Sequence, residues 1–235
     1  MVEIFSSVRI YDQDFPVIYK PCAKSRVIRL RYSRCGREIL VTGPQSVSGS
    51  HIKVFIQKSM TWLHTHVPQP KHYKSFSSGV IFPFLGHDLT IRHHASRSSS
   101  VLKDGSLLHV MGPLEKVEAL ILQWIIVQTK TYFEKICSFH GPAIGVTPTD
   151  VRIRDPETRW GSCSSRGALS FSWRLALAPR EVSFYVAVHE LSHLKEMSHN
   201  RTFWKLVASL CPDYQRHQKW LTQEGSSLHL WGRKS

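Results

Sequence analysis

Apolar residues alternate with polar ones early in the chain and then recur at helical spacing. Val27, Arg29 and Arg31 alternate with Ile28, Leu30 and Tyr32, while Val17-Ile18-Tyr19 and Glu38-Ile39-Leu40-Val41 are also rich in β-forming residues. This predicts strands within residues 1–45, the middle one with a wet, basic face, a hairpin turn at Cys35-Gly36 and an end at Gly43-Pro44. Over 47–66 the period changes, because Ile52, Phe55, Ile56, Met60 and Leu63 fall on one helical face. Residues 67–79, opened by Pro68 and Pro70, read as a polar loop, and the His64-x-His66 pair before it reads as a solvated helix end. Two further hairpins follow. One joins Val80–Gly86 to Leu89–Arg92, and the other joins Ser99–Leu102 to Leu107–Met111 through Asp104-Gly105. His93-His94 and the serine cluster after them read as a loop between the hairpins.

The second half is more helical. Residues 114–139 predict a long helix, apolar nearly all round at Leu120–Val127 and therefore central, stopped by Gly141-Pro142. Asp150–Arg154 predicts a strand with its arginines on one face, Thr158–Gly167 a glycine- and serine-rich turn, and Ala168–Leu175 another strand. Pro179 and Glu181 mark a helix start. The helix carries the apolar stripe Phe184, Ala187, Val188, Leu191 and Leu194, so one face is expected in the core and the other is ionisable. Ser198 or Asn200 can cap a further helix that ends at Cys211-Pro212. A short helix over Asp213–Gln223 and a loose tail from Ser226 complete the chain, and no internal repeat is visible. The class is α+β, with a β-rich part at 1–112 containing one helix and a second part at 113–235.

That ionisable face carries the candidate chemistry. His189 and His193 are four apart, so on a helix they project one turn above each other and can chelate one metal ion. Glu190 points well round the helix from them, free to stand beside the metal without ligating it. Two histidines and a neighbouring carboxylate in His-Glu-x-x-His form the zincin arrangement, in which the carboxylate takes a proton from a metal-activated water. Set against it is a half-exposed helix that carries two histidines and a glutamate by chance. His199, six residues on, weighs against that reading.

Composition narrows the setting. The 235 residues contain no apolar run long enough for a membrane span, and the first fifteen lack the basic start and apolar core of a secretion signal. Five widely spaced cysteines without a CxxC argue against a disulfide framework and a cysteine zinc knuckle, so a reducing cytoplasm is the expected compartment. Cys163 reads as a packed thiol. A net charge of +14 permits contact with nucleic acid or another polyanion, although the basic residues are scattered rather than clustered.

Several motifs together carry a family resemblance. Arg159-Trp160-Gly161-Ser162-Cys163, then Trp173–Pro179, His189–His193, His199, Phe203-Trp204 and Cys211–Tyr214 stand in an order and spacing that resemble the YgjP-like metallopeptidases, relatives of the SprT-like and WLM zincins and of M48-type metallopeptidases. The resemblance spans nearly the whole chain. It implies a zincin-like C-terminal catalytic part behind a β-rich part, with His189, His193 and His199 as ligands of one zinc ion and Glu190 as the acid/base. Ser172 departs from the family pattern, standing where relatives usually carry Asn. Metzincins are excluded, since Glu196 occupies the place of their loop glycine and no methionine follows His199 for a Met-turn.

An oxyanion formed during hydrolysis needs a partner beyond the metal. Arg159, Arg201 and Tyr214 are the candidates, each with a structural alternative. Three functions are open at this point. The first is a zinc-dependent peptidase acting on protein or peptide. The second is a metal-dependent hydrolase of nucleotide phosphoanhydrides, which the arginines would suit. The third is a nucleic-acid-associated protease of SprT-like kind, whose basic sheet face would hold DNA.

Overall fold

The computed structural model describes residues 4–11, 13–33, 38–67 and 73–232. The chain divides between Tyr73 and Lys74 into two compact units. In the first, β1 (Ile4–Ile10), β2 (Gln13–Pro21), β3 (Arg29–Tyr32) and β4 (Ile39–Gly43) form a sheet ordered β1-β2-β4-β3. β2 and β4 are parallel, and the outer pairs are antiparallel. Arg29 and Arg31 are exposed while Leu30 and Tyr32 turn inward, which produces the expected basic face. The turn at Cys35-Gly36 and the prolines at 68 and 70 lie outside the described residues.

The single helix expected over 47–66 is two, α1 (Gly49–Lys58) and α2 (Met60–His66), parted at Ser59. Its hydroxyl donates back to the Phe55 carbonyl at 2.8 Å. Such back-bonding competes with the helical ladder and bends it. Ile52, Ile56 and Leu63 still close one core with Val17, Ile39 and Val41.

The second unit opens with β5 (Ile81–Phe84), β6 (His87–His94), β7 (Ser100–Asp104) and β8 (Leu107–Met111), ordered β5-β6-β8-β7 with the central pair parallel. Both four-stranded sheets therefore share one connectivity, a repeat of topology without a repeat of sequence. The hairpin expected over residues 80–92 turns through Leu85 and Gly86, both at positive φ (48° and 85°), as a two-residue turn of this hand requires. His93 and His94 continue β6, paired with Val110 and Met111, and do not form a loop.

Helix α3 (Val117–His140) is amphipathic rather than apolar all round. Ile121, Ile125 and Phe133 are fully buried, whereas Ile126 and Val127 are 39% and 54% exposed. Its buried stripe serves two cores. Ile121 and Ile125 pack with β5, β6 and β8, and Phe133, Ile136 and Cys137 pack with the sheet described next. This shared helix places the β5–β8 sheet in the same unit as the C-terminal half, so the boundary falls at 73/74 and not at 112/113.

The third sheet comprises β9 (Asp150–Arg154), β10 (Gly161–Cys163) and β11 (Ala168–Ser172) in the order β10-β11-β9. β10 falls within the stretch expected to be a turn. Gly161 is a weak strand former and Ser162 is no better than neutral, yet Gly161, Ser162 and Cys163 pair with Phe171, Ser170 and Leu169. The strand expected to run to Leu175 ends at Ser172, whose hydroxyl accepts from Arg174 N and opens a 3-10 turn over Trp173–Leu177. Helices α4 (Arg180–His193), α5 (Arg201–Leu210) and α6 (Tyr214–Glu224) follow. Pro179 is the residue before α4 rather than its first helical position, and Asn200 caps α5 by accepting from Phe203 N at 3.0 Å.

The tail is not loose up to Gly232. Leu228, His229 and Trp231 are buried, and the backbone of Trp231 bridges to Lys74. Arg174, only 2% exposed, secures this segment. Its Nη1 donates to the carbonyls of Leu228 (3.1 Å) and Trp231 (2.6 Å), and its other two nitrogens grip the Asp155 carboxylate. No helix among the described residues is long and apolar enough to cross a membrane.

Candidate metal centre

Helix α4 was expected to bury one face, but it is enclosed on nearly all sides. Beyond Ala187, Val188 and Leu191 it buries Val182, Tyr185, Val186, Glu190 and His193. Its interior hydroxyls cost little, because Ser183 donates to the Leu175 carbonyl (2.6 Å) and Ser192 to the Val188 carbonyl (2.8 Å). A rigid, central helix fixes the spacing of the groups it carries.

His189 and His193 project from α4, and His199 comes from the loop before α5. One potential ligand nitrogen from each lies within 4.8 Å of the other two. The Nε2 atoms of His189 and His199 are 3.1 Å apart. Nitrogens bound to one tetrahedral zinc at about 2.05 Å stand about 3.3 Å apart, so the residues present fit such an ion. The Nδ1 of His193 lies 3.1 Å from the Glu196 carbonyl. Donation to that oxygen fixes the tautomer that leaves Nε2 with a free lone pair. Nδ1 of His189 is buried without a hydrogen-bond partner among the described residues.

Phe203 is the floor of the cluster. Its ring centroid lies 4.4 Å from that of His193, 4.8 Å from that of His199 and 4.9 Å from that of His189, and it is fully buried. Trp204 flanks His189 and His199, and Tyr214 stacks on Trp204 at 5.1 Å and lies 6.5 Å from Tyr185. The aromatic wall excludes water from one side of the imidazoles. Burial pushes His189 down to about 3, helped by repulsion from the other two histidines, and lowers His193 as well. Both are therefore neutral near pH 7, which is the form a metal needs.

Glu190 is 6% exposed, and burial pushes its carboxyl up to about 8, with the Arg159 guanidinium pulling the other way. It abuts β10. A Cβ placed on Gly161 would come within 2.5 Å of Glu190 Oε1. Cys163 faces the same way, its thiol raised by burial and by the Glu190 charge, in agreement with a packed thiol. Of the three candidate oxyanion partners, the exposed Arg159 is the one whose charge Glu190 feels. Arg201 is the exposed first residue of α5, and its side chain makes no hydrogen bond or ion pair among the described residues. Tyr214 belongs to the aromatic wall. Sequence reasoning missed Gly161 as the seat of Glu190 and Phe203 as the floor. A glycine inside a motif beside the metal helix was the available signal for the first.

An α+β chain with a helix-borne His-Glu-x-x-His and a third histidine from the next loop has the build of a metallopeptidase. The chain belongs to the YgjP-like metallopeptidase family, whose model, described as YgjP-like, metallopeptidase domain, matches residues 26–224. Such a family implies a divalent metal, typically zinc. Among solved structures, the chain is similar to the crystal structure of the metallopeptidase zymogen of Pyrococcus abyssi abylysin, at 23% identity over 39% of this chain and 93% of that chain, with a TM-score of 0.36. A comparison with curated proteins finds no match.

Proposed function

We propose that this protein is a zinc-dependent peptidase in which His189, His193 and His199 hold the ion and Glu190 moves the proton. The observation that carries the reading is the convergence, within 4.8 Å, of a nitrogen from His199 with those of His189 and His193 on the helix that also bears the buried Glu190. Bound there, a divalent ion supplies Lewis-acid activation of water and of a substrate carbonyl.

The chain's own groups do the rest. Depressed basicity keeps His189 and His193 neutral, so no proton must leave them first. Burial makes the Glu190 carboxylate a stronger base than an exposed one, because removal from water disfavours its charged form. Positive charge at the three histidines would favour its ionised form, in which Glu190 can accept a proton from water and return it to the leaving amine. Gly161 leaves room for this carboxylate, and Arg159 supplies positive charge near it.

The test is metal content together with turnover. Purified protein should hold about one zinc per chain, and His193→Ala should lose most of it. Casein, a peptide library and nucleoside triphosphates should be assayed side by side. Peptide cleavage that disappears in Glu190→Gln and on chelation is the expected result. Cleavage of nucleoside triphosphates alone, equally sensitive to Glu190→Gln, would replace the peptidase reading with that of a phosphoanhydride hydrolase.

A further inference from the structure

A second feature lies beside Gly161. A cleft of about 380 Å³ takes its polar lining from Arg154, Asp155, Arg159, Ser162 and Ser170, and Pro156, Gly161 and Phe171 complete it. Strand alternation explains its polarity. Ser162 pairs with Ser170, and Ser170 with Arg152, so these side chains form one row across the sheet, with Arg154 two residues along on the same face. The neighbouring row, Gly161, Phe171 and Ile153, points the other way, where Phe171 stacks on Phe133 at 4.1 Å in the core. The sheet therefore turns hydroxyls and guanidinium groups outward.

The charge of the cleft is one-sided. Asp155, the acidic residue of its lining, is held by the buried Arg174 through two hydrogen bonds of 2.7 and 3.1 Å. Its carboxylate is thereby neutralised, while Arg154 and Arg159 are exposed residues of the lining. Planar guanidinium groups beside hydroxyl donors match the geometry of a compact oxyanion. Gly161 connects the cleft to the proposed chemistry. Its backbone belongs to the lining, and the side where a Cβ would stand touches the Glu190 carboxylate.

We propose that this cleft, beside the edge strand β10 and on the sheet face away from Glu190, is an oxyanion-binding subsite that takes a carboxylate or phosphate group carried by an extended substrate. The proposal rests on the hydrolytic reading of the metal centre for its role, but not for its binding.

Two measurements separate these. The first is binding of inorganic phosphate to the metal-loaded full chain by titration calorimetry, with Arg154→Gln beside wild type. Arg154 lies on the outer face of the sheet, so zinc content and Tm serve as controls that the fold and metal site are intact. One phosphate should bind per chain, and loss of a charge-assisted contact should weaken it about tenfold. No saturable binding, or equal affinity in the variant, overturns the subsite, because a phosphate held by the metal alone would ignore Arg154. The second measurement compares peptide pairs that differ only by Glu or Gln at each position flanking the cleaved bond. A preference for Glu expressed in KM, abolished in Arg154→Gln, identifies a peptide carboxylate as the ligand. Phosphate binding sensitive to Arg154→Gln without such a preference identifies a phosphate group. If no peptide is cleaved while phosphate binding depends on Arg154, the peptidase reading fails and the subsite stands.

Discussion

Gly161 and Glu190 occupy each other's space: a Cβ on Gly161 would lie 2.5 Å from Glu190 Oε1, 2.6 Å from its Cγ and 2.8 Å from its Cδ. The backbone of an edge strand thus presses on the carboxylate of the metal helix with nothing between them. Gly161→Ala should displace Glu190 while leaving the three histidines in place. Peptidase kcat should fall by about a hundredfold, since a misplacement of about 1 Å has effects of that order. Zinc stoichiometry should match wild type. Wild-type kcat in Gly161→Ala would show that Glu190 is not held there for catalysis.

Phe203 touches all three histidine rings and is fully buried, so its removal should affect both stability and metal. Phe203→Ala should cost about 3–5 kcal/mol of unfolding free energy, as large-to-small core substitutions of this kind do. Competition with a zinc chelator should also show weaker binding, because the imidazoles lose the surface that orients them. Phe203→Leu should recover most of the stability and less of the affinity. Equal recovery of both would reduce Phe203 to a packing residue.

Arg174 satisfies Asp155 and two carbonyls of the C-terminal segment from a position only 2% exposed. Arg174→Met keeps much of the volume and strands these acceptors. Breaking a fully buried pair from one side costs about 3–5 kcal/mol, and with the Asp155 side chain 24% exposed the loss should fall at or below the lower end of that range. Urea unfolding should report the loss, and limited proteolysis should show earlier cleavage around residues 225–232. A variant as stable as wild type would mean that the tail is held by Leu228 and Trp231 packing alone.

Metal-free protein should show a stability maximum in mildly acidic solution. The folded chain holds His189 near 3 against an ordinary 6.5, so below pH 6.5 the unfolded chain gains a proton that the folded chain refuses, and stability declines as pH falls towards 3. It holds Glu190 near 8 against an ordinary 4.5, so above pH 4.5 the folded chain keeps a proton that the unfolded chain has released. That contribution is lost progressively as pH rises from 4.5 through 8. Tm measured in chelator should therefore be highest where the two windows overlap, between pH 4.5 and 6.5, and Glu190→Gln should flatten the decline above 6.5. An alkaline decline of equal size in Glu190→Gln would assign it to other groups.

Much of this was legible in the sequence where a short window sufficed. The i, i+4 spacing of His189 and His193, the alternation in β3, a cap at Ser198 or Asn200 and a turn through Gly105 each depend on backbone geometry within a few residues, although the turn spans Gly105-Ser106, one residue later than expected, because Asp104 pairs with Leu107. Tertiary structure decided what no local window encodes. Gly161–Cys163 became a strand because Phe171, Ser170 and Leu169 offered partners, and Ser226 onward was anchored because Arg174, some fifty residues earlier, needed acceptors. Ile126 and Val127 remained exposed because two sheets share only one face of α3. The basicity of Glu190 and His189 likewise depends on burial by distant segments. Residue types and their period thus determined which groups could do chemistry, whereas long-range pairing and exclusion of water determined where those groups meet and what charge they carry.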